Sequence, residues 1–511
     1  MARKERTIKN SVAAIAKYFI KMVLQFVLRT IIIYKLGVEY VGLDALYANI
    51  ISMLSMAELG IGSAIVFSMY KPAAENDVEK LKSLNALYKK MYLIIASIVL
   101  VIGISISPFL KYLINGEPNV SVNLYVIYFI FLANTVISYL GAHKKSLLFA
   151  HQRNDVESNV ATSVLVVMAI AQIVGLLAFD NYYVYAIMTP IFTLLEVLII
   201  VIIANKFYPN IRGKAKPLDK ETKKQVTKNI VGSSLHQIGS VLVLSTDNLL
   251  ISMFFGLNVL GKVSNYILIY NAINNFIMIF TNALQASVGN LIATSSKERV
   301  YKIYKMFNWI FACVVGFCSI SLICLYQHFI GIWVGYIYLL NIYVVLVMII
   351  RFYVTKMRSL TNVFKNCAGL MWNDKLRPIF ETIVNIVVSI ILLKVIGVAG
   401  VFVGTIISTV VVPLWVEPYV LYKHYFNKSM KDYFISYGFY TLVTLIGGFV
   451  AFALCSLLPT YGIWWFIIKG IIVVCVTSIV FLLSYFKTNE FKILFNEYIK
   501  PIINKFKRKK G

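Results

Sequence analysis

The chain has 511 residues, 59% of them hydrophobic and 14% charged, against the roughly 45–50% apolar and ~25% charged residues of soluble domains. This balance excludes an ordinary soluble protein and makes the bilayer the solvent. The 49 Lys and Arg against 22 Asp and Glu leave a net charge of +27, which calls for a polyanionic partner or for basic loops held at an anionic leaflet.

A membrane-crossing helix needs about 20 mainly apolar residues. That rule predicts an all-α polytopic membrane protein with 14 transmembrane helices, near residues 12–34, 41–70, 89–110, 120–141, 158–179, 184–205, 230–255, 259–292, 306–328, 336–355, 379–394, 399–422, 434–458 and 463–486. The opening MARKERTIKN precedes an apolar run too long for a signal peptide, so that run reads as a retained first span. An even number of spans puts both termini on one side. Forty of the 49 Lys and Arg fall in the termini and loops of that side, against Lys35, Lys111 and Lys394 on the other. Cytoplasmic loops retain positive charge, so both termini are expected in the cytoplasm. The basicity is then mostly topology, and no nucleic-acid partner is expected. The outer connections are too short for a folded domain. The basic tail, residues 487–511, alternates apolar and cationic residues and is expected to lie on the inner leaflet.

Sliding residues 9–190 by 219 positions aligns Lys9-Asn10 with Lys228-Asn229, Gly37 with Gly256, Gly42 with Gly261, Tyr47 with Tyr266, and Asn154-Asp155 with Asn373-Asp374, without a gap. Six helices separate the copies, so they keep one orientation and relate by a pseudo-two-fold along the membrane normal. The expected organisation is an N-terminal lobe (1–205), a basic cytoplasmic linker (206–229), a C-terminal lobe (230–422), helices 13 and 14 (423–486) and the tail. Two such six-helix lobes flanking a cleft that opens to alternate sides form a transporter architecture.

Charged residues inside spans cost roughly 2.5–3.5 kcal/mol each, so they normally face a bundle interior or water. On the first helix Lys17 and Lys21 lie ~40° apart around the axis and Arg29 ~80° beyond Lys21, one broad basic face. Lys17 and Arg29 could instead snorkel to opposite surfaces, a route that is hard for mid-helix Lys21. Lining an aqueous cavity, the three would favour an anion, and phosphate oxygens suit both the Lys point charge and the Arg fork. Arg351 could join from helix 10 or snorkel, and Lys262 and Lys469 read as interface anchors. Asp44 and Glu58 are candidates to balance the first-helix cations. In the repeat alignment Lys17 faces His236, Lys21 faces Ser240, and Arg29 faces Asn248 beside Asp247. Asp247 is a candidate for sodium or proton coupling, with Asn385 and Thr405 as neutral oxygen ligands, or else forms an internal pair. Pro190, and Pro413 with Pro418, sit near Glu196 and Glu417 in the last helices of the two lobes and predict kinks.

No phosphate-binding loop, no His-Glu-x-x-His and no outer acidic pair is present. The six Cys are scattered singly and read as buried thiols without a metal. No enzyme activity and no resident cofactor are therefore expected, and energy for transport must come from outside the chain.

The run RTIIIYKLGVEYVGLDALYANIISMLSMAELGIGSAIVFSMYKPAAEND, residues 29–77, resembles the Wzx-type polysaccharide repeat-unit flippases of bacteria, as does the Gln152-Arg153-Asn154-Asp155 loop. The resemblance extends more loosely over nearly the whole chain. It implies a member of the multidrug/oligosaccharidyl-lipid/polysaccharide exporter superfamily in a bacterial plasma membrane. Its substrate would be an undecaprenyl-diphosphate-linked oligosaccharide moved from the inner to the outer leaflet for capsule or another surface polysaccharide. Lys17, Lys21 and Arg29 match the cationic lumen that would hold the diphosphate, and Asp247, Asn385 and Thr405 match a family sodium site loosely. The expected partners are membrane lipid, a polysaccharide polymerase and glycosyltransferases. The alternatives are a multidrug/cation antiporter of the same superfamily, which would want acidic lumen residues, and a membrane polysaccharide polymerase or ligase, which would usually need a large outer loop.

Overall fold

The computed structural model describes the backbone of residues 3–58, 61–211, 213 and 215–501; the side chains of residues 1–14 and 227–244 lie outside the described set, as do a few others and residues 502–511. Several sequence readings therefore fall outside it: Lys9-Asn10, Lys228-Asn229, His236 and Ser240 of the repeat alignment, and the end of the tail. All regular elements among the described residues are helical, and contacts divide the chain into two compact units, residues 1–264 and 265–511.

The first unit holds α1 (Arg3–Lys35), α2 (Val38–Leu54), α3 (Ile61–Ala74), α4 (Val78–Ile106), α5 (Leu124–Leu140), α6 (Ala142–Ala150), α7 (Asn154–Phe179), α8 (Tyr182–Phe207) and the first part of α9 (Lys220–Thr294). Short polar side chains start several of them by accepting from otherwise orphaned backbone N–H groups. Asp77 caps α4, Asn123 caps α5 and Asn181 caps α8. On α7, Val167, Ile170, Val174 and Leu177 form an exposed apolar row at helical spacing, which is the pattern of a lipid-facing stripe.

The second unit continues with α10 (Lys297–Trp333), α11 (Ile342–Met357), α12 (Ser359–Cys367), α13 (Arg377–Ile396), α14 (Val398–Val411), α15 (Pro413–Leu421), α16 (Lys431–Ser456), α17 (Ile463–Tyr485) and the short α18 (Asn489–Ile493). Ser296 and Asn341 cap α10 and α11 through their side chains.

Nine helical segments among the described residues are long and apolar enough to cross a membrane, ten if the bent pair α5–α6 counts as one span. The rest of the fourteen expected spans have local explanations. α1 carries Lys17, Lys21 and Arg29; α2 and α3 are separated by a 3-10 turn, Ser55–Glu58; and α11 has 16 residues. α9 carries two spans joined at Gly256, where the backbone is non-helical (φ 77°, ψ −178°). The last helix of the second repeat is not continuous, because Val412 leaves helical geometry (φ −112°, ψ −78°) and Pro413 opens α15. Pro190, by contrast, lies within an unbroken α8.

The repeat is visible in the backbone. Gly37 and Gly256 both adopt positive φ, 106° and 77°, a conformation that side chains strongly disfavour. Within the first unit, a methyl group built on Gly42 would overlap the Leu257 carbonyl oxygen, and one built on Gly261 would overlap the Val38 carbonyl oxygen. Val38 and Leu257 are themselves 219 residues apart, so the two copies meet here in a symmetric, backbone-close contact. Tyr47 and Tyr266 are both fully buried. Tyr47 donates to the Leu124 carbonyl at 2.9 Å, and the Tyr266 hydroxyl accepts from the Leu340 N–H at 3.1 Å.

Candidate functional site: the basic face of the first helix and buried ion clusters

Within the first unit, the three α1 cations have different surroundings. The Lys17 ammonium donates to both carboxylate oxygens of Glu157, in the first turn of α7, at 2.9 and 3.2 Å. The Arg29 guanidinium donates to the Ser264 carbonyl at 2.6 Å, and Asp44 of α2 lies within its electrostatic reach. Asp44 also accepts hydrogen bonds from the hydroxyls of Tyr182 and Tyr185 at the start of α8. Lys21 is exposed and makes no ion pair among the described residues. The face therefore carries three cations and two nearby carboxylates, with its uncompensated charge at Lys21. Asp44 stands beside a first-helix cation as its charge suggested. Glu58 does not: it accepts from the Tyr92 hydroxyl at 2.5 Å. Glu157 was not singled out in the sequence. Its only signal there was a carboxylate in the first turn of a helix, which is also a common capping preference.

Asp247 is buried on α9 in a polar run with Ser245, Thr246, Asn248 and Ser252. The same stretch is tied down by Ser252, whose hydroxyl donates to the Leu113 carbonyl at 2.7 Å, and by Asn115, whose side chain donates to the Phe254 carbonyl at 2.6 Å. This cluster belongs to the first unit. Asn385 and Thr405 belong to the second, where the Asn385 amide donates to the Thr405 hydroxyl at 3.1 Å, both side chains being buried. The α13–α14 pair that carries them packs closely because Gly400 and Gly404 lie against the Leu392 backbone and Ser389. Among the described residues the Asn385 side-chain oxygen has no hydrogen-bond partner, which leaves a buried neutral acceptor beside a hydroxyl.

Arg351 is buried in the second unit, its guanidinium 5.4 Å from the Phe402 ring centre and 6.0 Å from that of Tyr270. Aromatic faces stabilise a cation held in this way, so Arg351 is packed inside the unit and does not snorkel. Lys469, read from sequence as an interface anchor, is buried in the second unit, where the Cys455 thiol donates to its backbone carbonyl at 3.9 Å.

The largest ion cluster among the described residues joins the basic stretch before α13 to Glu417 of α15. Arg358 donates to Glu417 at 2.6 Å and to Glu381 at 3.4 Å. Arg377 reaches Asp374 at 3.0 Å, Glu381 at 3.2 Å and Glu417 at 3.0 Å. Lys365 pairs with Asp374. Three cations and three carboxylates balance, and the Glu417 side chain is fully buried. The first unit contains a simpler counterpart, Lys145 to Glu196 at 2.6 Å. The glutamate a few residues from a proline thus takes a cation in each repeat, whether the proline interrupts the helix, as Pro413 does, or lies within it, as Pro190 does.

No protein-family model matches the chain, and no curated protein matches it in sequence. Solved structures do match. A lipid II flippase, MurJ, in an inward closed conformation superposes with a TM-score of 0.63 at 16% identity, covering 93% of this chain and 98% of its own. An inward-facing multidrug resistance MATE transporter of the MOP superfamily gives 0.58 at 16% identity, covering 78% and 94%. A Vibrio cholerae MATE transporter gives 0.58 at 13% identity, covering 83% and 98%. The chain therefore has the all-helical fold shared by a lipid II flippase and the MATE transporters of the MOP superfamily.

Proposed function

We propose that this protein is a flippase, not an enzyme, in a bacterial plasma membrane with both termini cytoplasmic. It moves undecaprenyl-diphosphate-linked oligosaccharide repeat units from the cytoplasmic to the outer leaflet by alternating access, for capsule or another surface polysaccharide. The observation that carries this reading is the basic face of α1, where Lys21 stands exposed in a span with no acidic partner among the described residues. An uncompensated cation at that depth is costly unless it meets water or an anion, and a diphosphate is a dianionic or more highly charged ligand with suitable acceptor oxygens. A hydrated path removes a barrier that lipid would impose, since each sugar hydroxyl stripped of hydrogen bonds costs about 4–8 kcal/mol on an alkane scale. The polyprenyl chain can stay in lipid throughout. Asp247 in the first unit is a coupling-ion candidate, Asn385 and Thr405 in the second are candidate neutral oxygen ligands, and the polymerase and glycosyltransferases of the pathway are the expected partners.

The test is the leaflet distribution of lipid-linked oligosaccharide after removal of the gene in a strain with no second flippase. Accumulation in the cytoplasmic leaflet and loss of surface polymer are expected. An unchanged distribution with intact polymer rejects the proposal, and a gain of drug sensitivity in that strain points to the antiporter instead.

A further inference from the structure

The carboxyl-terminal segment builds a polar shelf in the second unit that the transport reading does not use. Thr488 caps α18 by accepting from the Phe491 N–H, and the segment docks on the first turns of α10 through two carboxylates. Glu497 takes Lys302 at 2.8 Å and Arg299 at 3.0 Å, and Glu490 takes Lys305 at 3.3 Å. Hydrogen bonds from Lys302 and Arg299 hold the Glu497 carboxyl below its usual range. Beneath these ion pairs Phe491 packs edge-on against Trp309, 6.0 Å between ring centres. The segment is thus fastened by charge on one face and by rings on the other.

Between the segment and α10 lies a cavity of about 490 Å³, lined by Lys302, Lys305, Lys492, Asn489 and Asn496, by the paired carboxylates Glu490 and Glu497, and by Tyr301 and Ile493. That volume is within the usual range for small-molecule sites. A second cavity of about 560 Å³ is lined by Tyr419, Lys423, Asn427, Lys428 and Met430, and the Lys428 ammonium lies 4.8 Å over the ring of Tyr301, which lines the first. Both cavities hold ammonium groups, side-chain amides and a tyrosine, and the first also holds the two docking carboxylates. Lys492 is exposed and makes no ion pair among the described residues, so its charge is not used in docking the segment. Phe486 and Phe495, near the same segment, are exposed apolar rings.

We propose that the cavity between α10 and the carboxyl-terminal segment binds the phosphodiester headgroup of an anionic glycerophospholipid, with Lys492 and the amides of Asn489 and Asn496 on the phosphate and the exposed phenylalanines toward its acyl chains. Glu490 and Glu497 are paired with Lys305 and Lys302, so Lys492 is the lining cation that makes no ion pair among the described residues, and a cation with side-chain amides beside it suits a phosphate monoanion. A zwitterionic lipid brings its own positive charge to the same groups and is disfavoured. The proposal goes beyond the transport reading, and its readout is lipid retention, so the two can fail separately.

The test is native mass spectrometry of the full chain released from nanodiscs containing equal amounts of phosphatidylglycerol and phosphatidylcholine. Retention of one phosphatidylglycerol per chain, with phosphatidylcholine lost, is expected. Lys492→Gln should weaken retention about five-fold, and Lys492→Arg should preserve it. Lys71→Gln removes the same charge from an exposed side chain of α3 and should leave retention unchanged. Equal losses in the two Gln variants would mean diffuse attraction and overturn the site, as would equal retention of the two lipids. Displacement by inorganic phosphate at tens of millimolar would identify a free-anion site and overturn the lipid assignment.

Discussion

Lys21 and Lys17 stand one turn apart on α1, yet the fold treats them differently. Lys17 is spoken for by Glu157, while Lys21 keeps its charge for something other than a described side chain. If a diphosphate is that partner, Lys21→Ala removes a charge-assisted contact of about 1.5–3 kcal/mol, a loss of roughly ten- to 150-fold in apparent affinity in a reconstituted flipping assay. Lys21→Arg should keep most of the activity, because charge matters more than shape there. Wild-type flipping by Lys21→Ala would remove α1 from the substrate path. The Lys17–Glu157 pair makes the opposite prediction. Either single alanine should destabilise the protein by roughly 1–2 kcal/mol, less than a fully buried pair because Lys17 is partly exposed. The double alanine should recover part of that loss in a thermal-melt double-mutant cycle.

Two devices fix how the helices meet. The first is the close approach of α2 and α9 through Gly42 and Gly261, where any side chain meets a backbone carbonyl that cannot rotate away. Gly42→Ala and Gly261→Ala should each lower the melting temperature and the yield of folded protein. A Gly438→Ala control, where open space would receive the methyl, should not. The second device is the ion cluster that joins α12, α13 and α15. Arg358→Ala leaves Glu417, whose side chain has no solvent contact, with one fewer cation, and breaking a buried pair of this kind costs about 3–5 kcal/mol. Arg358→Lys should be only a partial rescue, because a single ammonium does not reproduce the fork that reaches both Glu417 and Glu381. These networks were hard to read from sequence. Glu417 lies 59 residues from Arg358, and as a string the stretch before α13 looks like the other basic loops.

For the whole molecule, one all-helical fold is common to a lipid II flippase and to multidrug resistance MATE transporters, so the fold does not choose among substrates. On the flippase reading, the choice rests on which charges would face the substrate and on what would drive the cycle. Asp247→Asn is the variant that addresses the drive. If Asp247 binds the coupling cation, flipping in proteoliposomes should lose its dependence on a sodium or proton gradient while substrate binding persists. Gradient dependence that survives intact makes Asp247 a structural residue of the Ser245–Ser252 run.

The sequence by itself determined the solvent, the helical class and the internal repeat. Transfer of a 20-residue apolar window into lipid is a local property, and a glycine needed for positive φ or for close packing leaves its mark at one position. Gly37 and Gly256, and Gly42 and Gly261, could therefore be matched before any contact was known. Only the tertiary structure decided which charges are satisfied. It gave Lys17 to Glu157, set Asp44 near Arg29, turned Glu58 to Tyr92, enclosed Arg351 between aromatic rings and gathered Arg358, Arg377 and Glu417 into one cluster. The physical reason is that electrostatic compensation depends on distance in space, and these partners are tens to more than a hundred residues apart along the chain.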